Sequence, residues 1–419
     1  MKVMTEDTKA ILLLCGHLGR ESETRPLNLR DYNQVVRWLI QRQLRPADLF
    51  RPEAIADLAE ETQLGWERLN ALLGRGVQLG FAVEKWGQAG IWVVSRSDPD
   101  YPSRYKTHLR EKAPPILFGA GDRSLLEGGG LAIVGSRNVD AKGEAFASEV
   151  AAWCARGALP VVSGGAKGVD LASMGSALEA GGVAIGILAE NLLRRSVASD
   201  ARSALSDGRL LLISPYHPEA RFTVGNAMGR NKLIYALADF GLVVATDHGK
   251  GGTWEGAIEE LGRQPGRPVF VRLDPDAPTG NRKLAEHGAV PFPVMDESTT
   301  PFEVLQRATK VRPSSCLQEQ LILFEESDKI KATVDSVQET VLEPGQASPP
   351  ADAASAPGSI YEAVLPVILA ALDHPLPATD LAKGFDVSKA QLDEWLKRAV
   401  AEHRIRKLTR PVRYARKDC

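Results

Sequence analysis

The apolar positions of the chain change rhythm near residue 90. Before it they recur every three or four residues, in AILLLCGHLG (10–19), YNQVVRWLIQRQL (32–44), PEAIADLAEETQL (52–64) and WERLNALLGRGVQLGFAVEKW (66–86). That spacing predicts amphipathic helices. Short loops holding Pro26, Pro46 and Pro52 separate them, which predicts a small helical module over residues 1–88. IWVVSR (91–96) is a strand-like run, and from 131 strand and helix patterns alternate. LAIVGS (131–136), LPVVSG (159–164), VAIGILAE (183–190), RLLLISPY (209–216), GLVVATDH (241–248) and RPVFVRLD (267–274) read as strands with near-continuous apolar faces. AKGEAFASEVAAWCARG (141–157), VDLASMGSALEAGG (169–182), AMGRNKLIYALADF (227–240) and TWEGAIEELGRQ (253–264) read as the helices between them. Strands buried on both faces and joined by helical crossovers predict a doubly wound, mainly parallel α/β core of Rossmann-like type over 89–310.

The pattern then fails. Residues 311–358 end in TVLEPGQASPPADAASAPG (340–358), rich in Pro, Ala, Ser and Gly, and are expected to be a flexible linker. Beyond it, IYEAVLPVILAAL (360–372), PATDLAKGFD (377–386) and SKAQLDEWLKRAVAEHR (388–404) predict three short helices. They lead into the basic RIRKLTRPVRYARK (404–417), so residues 359–419 are expected to form a winged-helix-like domain. Leu392, Leu396 and Val400 make the apolar stripe of the last helix. Tyr414 is a candidate stacking surface beside the basic residues.

Composition narrows the class. At 419 residues and 44 % hydrophobic content, the chain has material for several globular domains. A formal charge of −2 excludes a uniformly basic coat but not a local basic site. The four cysteines, at 15, 154, 316 and 419, have neither disulfide-framework nor zinc-ligand spacing. ILLLC (11–15) is too short for a signal peptide, and no apolar run reaches the length of a membrane span. The expectation is a cytoplasmic protein needing no metal or cofactor.

Three strand-to-helix turns carry the candidate chemistry: Gly135-Ser136-Arg137-Asn138, Ser163-Gly164-Gly165-Ala166-Lys167-Gly168 and Gly249-Lys250-Gly251-Gly252-Thr253. Glycine lets backbone approach a phosphate, and a helix N-terminus offers it unpaired N–H groups. In a doubly wound sheet such turns share the ligand-binding edge. Arg230, Asn231 and Lys232 add a fourth basic element. The turns lack both the GxxxxGK[ST] and the GxGxxG spacing, which disfavours a P-loop kinase or a dinucleotide enzyme.

DPDYPSRY (98–105) with APPILFGAGD (113–122), then IVGSRN (133–138), VVSGGAKGVD (161–170), GRNKLI (229–234) and GNRKLAEHGAVPF (280–292) stand in the order of motifs seen in one family. The chain resembles the DNA-processing protein A (DprA, or Smf) family, whose architecture includes a helical (SAM-like) N-terminal module and a winged-helix tail. The resemblance implies binding of single-stranded DNA, loading of a RecA-type recombinase in DNA uptake and recombination, action as a homodimer, and no enzymatic activity. It implies phosphate contacts from Arg137, Lys167, Arg230 and Lys232. Gly135, Ser136, Ser163, Gly164, Gly165, Gly168, Asn231, Gly251, Gly252 and Thr253 would complete that surface, and Asp170 would brace a turn.

The third turn departs from that family. VVATDHGKGGTWEGA (243–257) is similar to the GGxGTxEE turn of LOG-type nucleotide phosphoribohydrolases. By that second resemblance Arg230 and Glu255 would bind a nucleotide or cleave its N-glycosidic bond, with a role in phage defence as one outlet. Read from its residues alone, Glu255 is an acid in a helix's first turn. The aromatic expected ahead of Arg230 is replaced by Ala227 and Met228, leaving Phe222 nearby.

Overall fold

The computed structural model describes residues 4–18 and 24–310, together with part of the chain from 365 to 416. Two compact units emerge, Met1–Ser336 and Val337–Cys419. In the first, five α-helices come before any strand among the described residues: α1 (Glu6–Cys15), α2 (Leu29–Gln41), α3 (Pro52–Glu61), α4 (Trp66–Leu73) and α5 (Gly76–Gln88). The periodic run 66–86 is thus two helices. It breaks at Gly74-Arg75-Gly76, where the Arg75 guanidinium turns inward and donates to the carbonyls of Leu13, Gly16 and Leu72. Those acceptors lie where α1 and α4 end with orphan carbonyls, so one arginine satisfies both termini.

A nine-stranded sheet follows. Its strands are β1 (Trp92–Ser95), β2 (Ile116–Ala120), β3 (Leu131–Val134), β4 (Val161–Ser163), β5 (Ala184–Ile187), β6 (Leu210–Ser214), β7 (Phe240–Val243), β8 (Val269–Val271) and β9 (Val290–Pro291). They lie in the order β1-β2-β6-β5-β4-β3-β7-β8-β9. From β6 to β9 all pairs are parallel, in register such as Leu131↔Val161 and Leu131↔Phe240. The β1–β2 and β2–β6 pairs are antiparallel. The expected doubly wound, Rossmann-like α/β sheet is present, with an antiparallel edge added.

Helices cover both faces: α6 (Ser103–Leu109), α7 (Ala141–Arg156), α8 (Val169–Glu179), α9 (Leu192–Ser196), α10 (Ser199–Ser206), α11 (Val224–Leu237), α12 (Gly251–Leu261), α13 (Thr279–Glu286) and α14 (Pro301–Lys310). Period-two alternation assigns the faces. Leu131 and Ile133 pack with α7, α14 and Val169, whereas Ala132 and Val134 pack with α6, α11, α12 and α13. The N-terminal helices share their core with Phe118, Leu210 and Leu212 at the β2–β6 end. They form a layer of the same unit as the sheet.

The expected linker over 311–358 lies outside the described residues, as does most of 359–388. In the second unit, α15 (Lys389–Ala401) precedes the antiparallel hairpin of β10 (Ile405–Thr409) and β11 (Val412–Arg416). Leu392 and Leu396 are buried as their stripe predicts. Tyr414 is 6 % exposed and packs with Leu392, Leu396 and Ile405, so it is a core residue rather than a stacking surface. Among the described residues no helix is long and apolar enough to cross a membrane, and no cluster has metal-ligand geometry. Cys15 and Cys154 are free thiols.

Candidate nucleic-acid interface

Strands β4, β5 and β6 succeed one another on one side of β3, and β7, β8 and β9 on the other. The order therefore reverses between β3 and β7, and a crevice must open where their crossovers diverge. At that carboxyl edge the structure has a cavity of about 510 Å³. Its wall draws on all three glycine-rich turns, from Gly135, Ser136 and Arg137 through Ala166 to Gly251, Gly252 and Thr253.

The glycines act mainly by letting these turns pack. A Cβ on Gly135 would stand 2.5 Å from Val169 Cγ2, so the start of α8 rests on the first turn only because that residue has no side chain. Gly168, at φ +78°, lies against the carbonyls of Ser136 and Arg137, where a Cβ would approach the Ser136 oxygen to 2.5 Å. Two turns far apart in sequence are locked together in this way. The Ser136 amide donates to the Ala245 carbonyl (2.9 Å), which joins the first turn to the strand end of β7. Ser163 is wholly buried and its hydroxyl donates to the Ile133 carbonyl (2.6 Å). Its side chain braces β3 against β4 rather than facing a ligand.

Arg230 is placed differently from its expected role as a surface phosphate contact. It is 4 % exposed, and its Nη1 lies 3.6 Å from Asp170 Oδ2. A Cβ on Gly164 would overlap that Nη1, so the second turn needs glycine to admit the guanidinium. Burial pushes the Asp170 carboxyl up and the Arg230 guanidinium down, and their attraction opposes both shifts. Asp170 also accepts from the Ala166 amide (3.4 Å), in keeping with a turn-bracing part. Arg230 still lines the cavity, and its buried Nε has no hydrogen-bond partner.

Asn231 donates to the Gly252 carbonyl (2.7 Å) and holds the start of α12 against α11. Lys232 is two positions, roughly 200° around the helix, from Arg230. It lies near Glu259, Lys112 and Arg263, and burial pulls its ammonium below the ordinary range. It is absent from the cavity wall, so Lys232 belongs to another face of the molecule. Glu255 does line the cavity, but it is exposed and sits in the second turn of α12, not the first.

Helix ends supply the remaining polarity. Asp140 and Thr223 cap α7 and α11 with their own side chains. By contrast α12 starts after Lys250 with no side-chain cap. Among the described residues no protein acceptor takes the N–H groups of Gly251, Gly252 or Thr253. Those groups and the helix dipole favour an anion. The β7 end is fixed by buried Asn281, which accepts from the Thr246 amide (3.0 Å) and donates to the Val244 and Arg272 carbonyls (both 2.9 Å). GNRKL (280–284) contains this residue, and only its neighbours in space reveal the part it plays.

The mouth is basic and partly apolar. Arg137 and Lys250 line the cavity, Lys167 and Arg221 adjoin its lining residues Ala166 and Phe222 in sequence, and all four are exposed with no acidic partner among the described residues. The Arg137 guanidinium lies 4.6 Å from the centre of the Phe222 ring, which is 39 % exposed. Phe222 also lines the cavity. Lys250 belongs to the third glycine-rich turn, whereas Arg221 lies outside every motif, because an exposed basic side chain in a loop has no sequence signal of its own.

A family model described as DNA recombination-mediator protein A matches residues 92–302. A DNA processing protein DprA of Bacillus subtilis (strain 168) is 30 % identical over 210 residues, which is 48 % of this chain and 68 % of that protein. The DNA processing protein DprA of Streptococcus pneumoniae (strain ATCC BAA-255 / R6) is 32 % identical over 165 residues, covering 38 % of this chain and 55 % of its own. The X-ray structure of DNA processing protein A from Streptococcus pneumoniae superposes with a TM-score of 0.51 at 21 % identity, over 69 % of this chain and 94 % of that one. At that identity the likeness speaks for the fold alone.

Proposed function

From the premise that the chain belongs to the DNA recombination-mediator protein A family, we propose that it binds single-stranded DNA across the mouth of the β3–β7 crevice and presents it to a RecA-type recombinase. The observation that carries this reading is the set of exposed cations around one opening. Among the described residues, exposed cations without an acidic partner occur elsewhere too, as at Arg30, Arg110, Arg194 and Arg202, but Arg137 and Lys250 share the wall of one cavity with the open start of α12, and a cation left without a counter-charge there is available to a phosphate.

A single strand suits this surface better than a duplex. Exposed Phe222, with Arg137 on its ring, offers a flat face on which any base stacks. Each phosphate contact releases counterions, so affinity falls with salt. Arg230 serves beneath the surface, holding the second turn in place through Asp170. Family membership supports a recombinase partner and a homodimer, and the basic hairpin of the second unit is a further candidate contact.

The hydrolytic alternative needs Arg230 and Glu255 to work together on a sugar. Arg230 is already engaged with Asp170, and exposed Glu255 lacks the dry surroundings that sharpen electrostatic catalysis. The function assigned is therefore binding without turnover. Lys167→Ala is expected to weaken oligothymidine binding and to flatten the log–log salt slope by roughly 0.7, the share of one phosphate contact on a single strand. An unchanged slope in a fluorescence-anisotropy titration would remove Lys167 from the interface.

A further inference from the structure

Residues 215–223, PYHPEARFT, connect β6 to α11 and end at the cavity, whose wall includes Phe222 and Val224. Phe222 is exposed, with the Arg137 guanidinium on its ring. An exposed ring in a loop is a good stacking face only if the loop holds it in place. A ligand that must first order its own contact loses that ordering cost from its affinity.

The loop is held on both sides of that ring. Pro215 and Pro218 each fix one backbone angle. The Leu193 and Asn191 amides, at the start of α9, donate to the Pro218 and Ala220 carbonyls (both 2.9 Å). The Ala220 amide donates to the His217 carbonyl (2.8 Å), and the Glu219 amide donates to His217 Nδ1 (3.2 Å). Beyond Phe222, the Thr223 hydroxyl accepts from the Asn226 amide (3.0 Å) as the cap of α11. Arg221 and Phe222 are therefore a short span between two fixed points.

The N-terminal helices complete the hold. The His217 ring stands edge-on to Trp86 of α5, with centroids 5.9 Å apart, and Trp86 is itself wedged against Phe118 of β2. Trp86 is 1 % exposed, so its indole is a rigid support. Lys85, its neighbour in α5, pairs with Glu219 (2.7 Å), but both side chains are exposed and such a pair adds little. His217 joins the two sets of contacts: its ring rests on α5, while its Nδ1 and carbonyl close the turn that leads to Arg221. Without the imidazole, α5 loses its contact with the loop and the Glu219 amide loses its acceptor.

We infer that the N-terminal helical module takes part in strand binding, with His217 as a positioning residue that rests on Trp86 and holds Arg221 and Phe222 at the mouth of the crevice. The inference rests on the preceding reading that single-stranded DNA binds there. His217 itself does not touch the strand, so its whole effect passes through Arg221 and Phe222.

The test is a variant cycle on the full chain, with fluorescein-labelled oligothymidine as the probe. Affinity is measured for the wild type, His217→Ala, Arg221→Ala/Phe222→Ala and the triple variant. His217→Asn serves as the conservative replacement, because its side-chain oxygen can accept from the Glu219 amide as Nδ1 does. His217→Ala is expected to weaken binding by at least about fivefold, the scale of one lost base-stacking contact. His217→Asn should recover most of that loss. In the Arg221→Ala/Phe222→Ala background, His217→Ala should cost nothing further, the mark of residues acting through one another. An equal loss in both backgrounds, or wild-type affinity in His217→Ala, would overturn the inference and leave the strand-binding reading intact. Should oligothymidine fail to bind the wild type, hydrogen exchange of the 215–223 peptide separates the two. Faster exchange in His217→Ala, restored in His217→Asn, would sustain the positioning of this loop by α5 and overturn only the strand reading. Unchanged exchange would overturn both.

Discussion

Gly164 has no side chain because Arg230 passes through the space one would fill. That single steric fact links the second glycine-rich turn to α11, sixty-six positions later in the chain. Gly164→Ala is expected to displace the guanidinium and destabilise the protein by about 1–3 kcal/mol, the usual effect of overpacking a filled interior. Urea unfolding should show this as a lower midpoint with an unchanged slope; a midpoint equal to the wild type's would mean that Arg230 moves aside freely. Asp170→Ala goes further, because it leaves a buried guanidinium without its counter-charge. A loss of about 3 kcal/mol or more is expected, against near-neutrality if the pair were merely incidental. None of this was legible at Arg230 itself. GRNKL reads as a basic surface motif, and the burial comes from a glycine and an aspartate on another turn.

At the scale of elements, the contact between the N-terminal helices and the sheet holds a pH-sensitive group. Trp86 of α5 packs edge-on against Phe118 of β2 at 4.9 Å, and against the His217 ring at 5.9 Å. Burial keeps the His217 imidazole below its ordinary value of 6.5. Its Nδ1 also accepts from the Glu219 amide, which requires that nitrogen to be unprotonated. The unfolded chain therefore takes up this proton at higher pH than the folded one. His217 contributes its full stability above about 6.5 and loses it as pH falls from there toward the lower folded value. Partial exposure screens the effect to about a few tenths of a kcal/mol. Melting temperatures of wild type and His217→Asn should converge as pH drops from about 7.5 to 5.5, and parallel curves would exclude the histidine. The strands themselves were readable because both their faces are apolar, and the helices because their caps and glycine stops are local. The antiparallel course of β1 and β2 was not readable, since IWVVSR and APPILFGAGD specify extension but not direction. Nor was the break at Gly74, where a helical rhythm continues across two helices and only the destination of Arg75 shows the turn.

For the whole molecule, sheet order turns three scattered glycine motifs into one site. The reversal between β3 and β7 brings their turns to a common crevice, and Arg137 and Lys250 in its wall make an anion the proposed ligand. Motif order in the sequence pointed to the same family as the match over residues 92–302. The depth of the site stayed hidden, because burial of Arg230, separation of Lys232 and exposure of Phe222 are properties of packing. The basic hairpin β10–β11 offers a competing location for DNA on the second unit, where Arg404 and Arg406 are exposed. The most direct discrimination is photocrosslinking of the full chain to an oligothymidine carrying 4-thiothymidine, followed by mass-spectrometric mapping of the modified residues. Strand binding at the β3–β7 crevice predicts crosslinks at Phe222 and in the Gly135–Asn138 and Ser163–Gly168 turns, lost in an Arg137→Ala/Lys167→Ala double variant. Crosslinks confined to residues 404–416, and unaltered in that variant, would contradict it.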